Sequence, residues 1–182
     1  PGSLDPAFAS DGESFRVARQ MFEGLVGTEP GTADPAPLLA ESWEVSEDGL
    51  QYTFALKEGV TFHDGTEFNA EAVCFNFERW NNFTGVAATE SLSYYWLKVN
   101  GGYAEDGNGK YASCEAPDAS TAVVTLSSPL PEFIAALSLP SFSMQSPTAL
   151  QEYGADDVQG ESDAPVLPEY ALTTVILCVG VA

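Results

Sequence analysis

Residues Pro37 to Trp80, PLLAESWEVSEDGLQYTFALKEGVTFHDGTEFNAEAVCFNFERW, decide the fold of this chain. Two segments rich in aromatic and β-branched residues, 42–45 and 51–56, flank the polar turn Ser46-Glu47-Asp48-Gly49. A polar turn that ends in glycine is typical of a β-hairpin, so the two segments are predicted to pair. Apolar and polar residues alternate along the second segment, which predicts a strand with one face buried in a core.

The same stretch continues into a third predicted strand and a helix. Val60 and Phe62 indicate the strand, and Asp64-Gly65 supplies a turn after it. Asn69 then stands where an N-cap is expected, and the apolar spacing beyond it predicts a helix from about residue 70 to about residue 81. On a helical wheel, Val73, Phe77 and Trp80 form an apolar face. The remainder of the wheel is mostly polar and contains Glu71, Asn76, Glu78 and Arg79.

Elements of both kinds are predicted on either side of this stretch. Helices are expected over residues 14–25, 131–138 and 148–153, strands over 25–28, 111–115 and 119–126, and irregular chain over 31–37 and 81–109. The last two strands form a second predicted hairpin, joined by Pro117-Asp118. Together these patterns predict an α/β (α+β) fold that includes a β-rich subdomain.

Composition and charge exclude several classes of protein. The chain has 182 residues, of which 45% are apolar, and this content is typical of a globular protein. Its 27 acidic and 6 basic residues give a net charge of −21, which would repel nucleic acid and anionic membrane surfaces, so neither is an expected partner. The longest apolar run, Ala171 to Ala182, is shorter than the roughly 20 residues that a transmembrane helix needs, so no transmembrane span is predicted.

The sequence contains no pattern that predicts catalysis, a metal site or a cofactor. Gly-x-Ser-x-Gly, Cys-x-x-Cys, His-Glu-x-x-His and the Walker phosphate loop are all absent from it. His63 is the only histidine, and with Asp64 beside it a general base or metal ligand is one interpretation. No second His or Cys stands at metal-ligand spacing, so a simple turn residue is the favoured interpretation and the protein is not expected to be an enzyme.

Two further groups of residues carry open alternatives. Cys74 on the predicted helix and Cys114 in a predicted strand form the natural pair for a disulfide, with free buried thiols as the alternative. The aromatic cluster Tyr94, Tyr95 and Trp96 could line a ligand cleft, or it could pack an irregular loop onto the body. Tyr94 and Trp96 are therefore candidate ligand contacts.

The order and spacing of the motifs resemble the signature region of the family 5 solute-binding proteins. These are extracytoplasmic receptors of ABC importers for peptides, nickel complexes and related solutes. The resemblance rests on Ser3–Pro6, Met21–Val26, Pro37–Trp43, Ser46–Gly49, Tyr52–Phe54, Leu56–Val60, Phe62–Gly65 and Asn69–Val73. No single motif is diagnostic, but their order and spacing along the chain are.

The resemblance implies a periplasmic-binding-protein-like type II lobe that closes on its solute and delivers it to ABC permease subunits. It also implies export, with the protein periplasmic or extracellular and tethered to the cell surface as a lipoprotein. In that family the segment corresponding to Phe8–Gly12 approaches the solute, so Ser10 and Asp11 are predicted polar contacts. An acidic group there suits the ammonium end of a peptide. The alternative is that Asp11 merely caps the helix expected near Ser14.

The resemblance extends to about Tyr170 and then stops abruptly. Residues 1–170 are expected to be the N-terminal part of a solute-binding protein, comprising the first lobe and an inserted subdomain. Residues 171–182 are expected to be an aberrant apolar tail, from a frameshift or truncation, in place of the family's Gly-Thr-Gly-Pro motif. The resulting hypothesis is an incomplete binding component for peptides or similar small solutes. A stand-alone interaction or sensor module of the cell envelope is the alternative.

Overall fold

The computed structural model describes residues 3–152 and 176–177. The predicted apolar tail, 171–182, lies outside the described residues except for those two positions. The helices are α1 Gly12–Met21, α2 Ala70–Asn81, α3 Tyr94–Asn100, α4 Phe133–Ala136 and α5 Pro147–Glu152. The strands are β1 Val26–Thr28, β2 Pro35–Pro37, β3 Ala40–Val45, β4 Gln51–Leu56, β5 Thr61–Phe62, β6 Tyr111–Asp118, β7 Thr121–Leu126 and β8 Ile176–Leu177.

The two predicted hairpins join into one antiparallel sheet of four strands, in the order β3-β4-β7-β6. Strands β4 and β7 are the central pair, and Phe54 lies opposite Ala122 between them. Along β4, buried Tyr52, Phe54 and Leu56 alternate with more exposed neighbours, which confirms the predicted one-sided strand. The turn of the second hairpin falls after Asp118, two residues later than its prediction, because β6 continues through Pro117.

Helix α2 packs against strands β6 and β7 and occupies the range predicted for it. The Asn69 side chain accepts a hydrogen bond from the backbone N–H of Ala72 at 2.9 Å, as an N-cap does. Val73, Phe77 and Trp80 are buried in the core, as the apolar spacing predicted. A disulfide bond joins Cys74 on α2 to Cys114 on β6, with their Cα atoms 5.1 Å apart.

We expect replacement of Asn69 with Ala to lower the free energy of unfolding by about 1 kcal/mol, because the cap of α2 would be lost. Urea unfolding followed by circular dichroism measures this change. The matched control is Asn69→Asp, which keeps a side-chain oxygen for the Ala72 amide and should stay within a few tenths of a kcal/mol of the original. Equal losses in the two variants would contradict the capping role.

Helix α1 differs from its prediction at both ends. It spans Gly12–Met21, whereas the sequence pattern predicted residues 14–25. Phe22 is already extended, with φ −129° and ψ 152°. Beyond it, Gly24 forms an antiparallel bridge with Ser143. The helix therefore ends where the chain pairs with a distant segment, and apolar spacing alone cannot show such a pairing.

Two regions predicted to be irregular contain regular elements. Within the predicted loop 31–37, strand β2 pairs with β1, placing Val26 opposite Pro37. Within 81–109, helix α3 carries the aromatic cluster and is capped at its C-terminal end by Gly101, whose φ of +87° favours glycine. Both elements are short. Strand β2 pairs with β1 across the local turn at residues 29–34, whereas α3 contacts the distant residue Phe15 through Tyr95.

Candidate functional site

The predicted contact residues Ser10 and Asp11 end a segment that folds tightly against the body. Asp5 caps a 3-10 turn over Pro6–Phe8, because its side chain accepts a hydrogen bond from the Ala7 N–H at 2.9 Å. Residues 5–9 are buried and Ser10 and Asp11 are exposed. Ser10 and Asp11 therefore form an exposed polar pair directly after a buried turn. We call residues 5–11 the N-terminal segment.

Asp11 is the N-cap of α1, which was the alternative to a ligand contact. Its Oδ1 atom accepts hydrogen bonds from the backbone N–H groups of Glu13 and Ser14, both at 3.0 Å. Its Oδ2 atom accepts a bond of 2.6 Å from the Ser14 hydroxyl. A capping role does not exclude a further contact with a solute, because a carboxylate has about four lone-pair sites. The contact roles of Ser10 and Asp11 stay predictions.

Tyr94 and Trp96 lie on α3 in different surroundings. Trp96 is 5% exposed and packs near Trp80, and its indole N–H donates to the Gly102 carbonyl at 3.1 Å. Tyr94 is 38% exposed, and the ammonium of Lys98 lies 5.2 Å from its ring centre. In this conformation Trp96 packs the interior, whereas the Tyr94 ring reaches solvent. Ligand contact by either residue stays a prediction.

The middle member of the aromatic cluster connects α3 to α1. The rings of Tyr95 and Phe15 are 5.4 Å apart. On the surface of α1, a groove of about 350 Å³ is lined by Gly12, Phe15, Arg16, Arg19 and Gln20. The groove is shallow and open, because all of its lining residues belong to α1, and it adjoins the predicted contacts because it begins directly after Asp11. Arg16 and Arg19 are both exposed, and the Arg16 guanidinium pairs with the Glu13 carboxylate at 3.6 Å, so Arg19 is the group that suits an anionic ligand.

Helix α2 carries a buried polar cluster that the sequence pattern does not predict. The helical wheel places Arg79 and Asn76 in the polar remainder of α2, and this prediction is wrong, because the two residues are only 6% and 0% exposed. Arg79 donates to the Asp5 carboxylate and to the Gln145 side-chain oxygen, each at 2.8 Å. Its guanidinium carbon also lies 5.7 Å from the Phe8 ring centre, within range of a cation–π interaction.

The side chain of Asn76 also binds Gln145, at the backbone of that residue. Its side-chain amide donates to the Gln145 carbonyl at 2.8 Å, and its oxygen accepts from the Gln145 N–H at 3.1 Å. Asn76 and Arg79 are three residues apart on α2, so they share one side of the helix. That spacing was the one signal in the sequence for a polar cluster, but it did not reveal the partners.

His63 and Asp64 lie in the exposed turn after β5, as the favoured interpretation expected. Asp64 accepts hydrogen bonds from the Ser146 hydroxyl, from the Thr66 hydroxyl at 2.6 Å and from the Thr66 N–H at 2.9 Å. Burial raises the pKa of Asp64, but the hydrogen bonds from Ser146 and Thr66 outweigh it and hold the pKa below its usual value. Ser146 also accepts a hydrogen bond from the Ala149 N–H near the start of α5, so Asp64 links this turn to that helix.

The lowered pKa predicts that Asp64 stabilises the fold at neutral pH. A carboxyl with a lower pKa in the folded state contributes above its unfolded value of about 3.9, and the contribution is lost as the pH falls through the folded value. We expect Asp64→Asn to lower the free energy of unfolding by about 1 kcal/mol at neutral pH, allowing for solvent screening. The deficit should shrink below about pH 4.

Urea unfolding across this pH range measures the Asp64 effect. Glu67→Gln is the control, because it removes another negative charge close to the same turn. A deficit of Asp64→Asn that stays constant down to about pH 3 would contradict the assignment, because the carboxyl should be largely protonated there in the unfolded state.

Within residues 3–152 and 176–177, no group of three or more His, Cys, Asp or Glu side chains is arranged to hold a metal ion. The helices of the described residues also lack a span that is both long and apolar enough to cross a bilayer.

Comparison with known proteins places the chain in a family. Residues 34–167 match the bacterial extracellular solute-binding proteins, family 5 middle. The chain belongs to the family 5 solute-binding proteins. It is 38% identical over 154 residues to the glutathione-binding protein GsiB of Shigella flexneri, a match that covers 85% of this chain and 27% of GsiB.

Solved structures of periplasmic binding proteins share the fold. One is DppA from Helicobacter pylori, in complex with the peptide STSA, with a TM-score of 0.70 and 33% identity over 85% of this chain and 31% of DppA. Another is HbpA2 from Haemophilus parasuis, with a TM-score of 0.69 and 28% identity over 84% of this chain and 31% of HbpA2. The predicted periplasmic-binding-protein-like α/β fold is confirmed, and it corresponds to part of the length of these relatives.

Proposed function

We propose that this chain is the N-terminal part of the extracytoplasmic binding component of an ABC importer for peptides or similar small solutes. The observation that carries the proposal is the family match over residues 34–167, three quarters of the chain. The likeness to a structure solved with a bound peptide supports the peptide class. Export, a lipid tether at the cell surface and delivery to permease subunits follow from the same proposal.

The proposed contacts lie on helices α1 and α3. Asp11 is exposed at the end of the helix, and its carboxylate can pair with the ammonium of a free peptide. The neighbouring groove carries Arg16, which pairs with Glu13, and Arg19, whose guanidinium suits a carboxylate. Tyr94 presents an exposed ring to a solute side chain. The chain spans 27% of the length of GsiB, so these groups form one wall of a cleft in a protein of that length.

The interaction or sensor module is supported less well. Such a module needs a continuous apolar surface for its partner. Among the described residues, the exposed large apolar side chains are Val45, Val86 and Tyr94. They belong to strand β3, a 3-10 turn and helix α3, so they lie on three separate elements. We favour solute binding because the family match supports it.

A binding titration tests the proposal. The protein encoded by the whole coding region that contains this sequence is purified. It is titrated by calorimetry with glutathione and with the tetrapeptide Ser-Thr-Ser-Ala. Maltose, an unrelated solute, is the negative control. Saturable binding of at least one peptide, with no heat from maltose, is expected. Binding of neither peptide at millimolar concentration would overturn the peptide class.

The Asp11→Asn variant tests the ammonium contact. Asparagine caps helices about as well as aspartate, so this variant removes the charge while it keeps the cap of α1. We expect affinity for the free peptide to fall about tenfold, the order of one charge-assisted hydrogen bond. Affinity for the N-acetylated peptide should be weak and unchanged by the substitution. An equal loss with both peptides would contradict a role in binding the ammonium.

A further inference from the structure

The N-terminal segment is held at both ends of its buried turn by residues that are distant in sequence. At the first end, Arg79 on α2 pairs with Asp5, and both side chains are 1% exposed. At the second end, the hydroxyl of Ser141 donates to the carbonyl of Ala9 at 3.0 Å, also in a buried position. Between the two ends, the ring of Phe8 packs on Phe83, with centroids 5.0 Å apart.

These contacts leave little freedom to the residues that follow the turn. Ala9 is fixed by Ser141, and Asp11 is fixed as the cap of α1. Ser10 is the single residue between these two fixed points, and its side chain is exposed. A site held in this way binds with less ordering cost, because its residues are already in place before the solute arrives.

We propose that Arg79 and Ser141 are positioning residues for solute binding. They touch Asp5 and Ala9 in the interior and fix where Ser10 and Asp11 stand at the surface. The effect on solute binding rests on the proposed function. The effect on the N-terminal segment does not, because it concerns only how that segment is held. Arg79 is suited to this role because its planar guanidinium reaches Asp5 and Gln145 together, which the single ammonium of lysine does less well.

The main variant is Ser141→Ala, which removes one hydroxyl and leaves the packing almost unchanged. Its matched control is Ser93→Ala. Ser93 is also buried, and its hydroxyl donates to a backbone carbonyl, that of Ala87, at 2.6 Å. The two variants therefore lose the same kind of hydrogen bond, but the control bond does not involve the N-terminal segment. Arg79→Lys, which keeps the positive charge, tests the other end of the turn.

Amide hydrogen exchange of the full chain without solute is the first measurement. The amides of Ala7, Phe8 and Ala9 report on the turn, because they donate to Asp5 and Pro6. We expect Ser141→Ala and Arg79→Lys to accelerate their exchange about tenfold more than Ser93→Ala does, through local opening. Equal exchange in Ser141→Ala and Ser93→Ala would overturn the proposal.

Titration with glutathione and Ser-Thr-Ser-Ala is the second measurement. We expect Ser141→Ala to weaken the affinity about tenfold, because one or two residues would then have to become ordered on binding. Ser93→Ala should change it less than twofold. Faster exchange with unchanged affinity would overturn the positioning role. Failure of the original protein to bind either peptide would overturn the peptide class of the proposed function, and the exchange result would still decide whether Arg79 and Ser141 hold the segment.

Discussion

Replacing Arg79 with Met should lower the free energy of unfolding by about 3 to 5 kcal/mol, the usual cost of leaving a buried charge without its partner. The Asp5 carboxylate is 1% exposed, so water cannot take the place of the guanidinium. The side-chain oxygen of Gln145 would also lose its donor. A loss of this size is a large fraction of the stability of a typical domain, which is about 5 to 15 kcal/mol.

The double variant Asp5→Asn, Arg79→Met separates the charge from the packing. It removes both ionic groups, so no buried charge is left unpaired, and it keeps a capping oxygen for the turn at Pro6. We expect it to recover more than half of the stability that Arg79→Met loses. Urea unfolding of the three proteins measures this. If the double variant is less stable than Arg79→Met, the cost does not come from an unpaired carboxylate.

Local signals in the sequence predicted the parts of the fold that local chemistry specifies. The hairpin β3-β4 follows from a polar turn that ends in Gly49, which has a φ of +70°. The bounds of α2 follow from the Asn69 cap and the spacing of Val73, Phe77 and Trp80. Both elements could be predicted because each depends on residues that are close together in the chain.

The sequence could not reveal contacts made between distant segments. Arg79 and Asp5 are 74 positions apart, and Ser141 and Ala9 are 132 positions apart. On a helical wheel, a buried arginine with a partner looks the same as an exposed arginine, so the wheel predicts the wrong surroundings for Arg79. The end of α1 was missed for the same reason, because the pairing of Gly24 with Ser143 ends the helix. Long-range partners thus account for the early end of α1 and for the buried position of Arg79.

Removal of the disulfide should destabilise the fold by about 4 kcal/mol in the chain-entropy model, because the bond closes a loop across 40 residues. The bond joins α2 to β6, an edge strand of the sheet. Both cysteines are half-buried, so replacing them with alanine leaves only a small cavity. The loss should therefore arise mainly from the freedom gained by the unfolded chain.

Two measurements distinguish this origin from a loss of packing. The variant Cys74→Ala, Cys114→Ala should unfold at a lower urea concentration and with a steeper dependence of the free energy on urea, because an unfolded chain without the bond exposes more surface. Cys178→Ser is the control, because it removes the third cysteine while it leaves the bond intact. A lower midpoint with an unchanged slope would place the loss in the folded state, at the contact between α2 and β6. A steeper slope would show that the bond acts by restricting the unfolded chain.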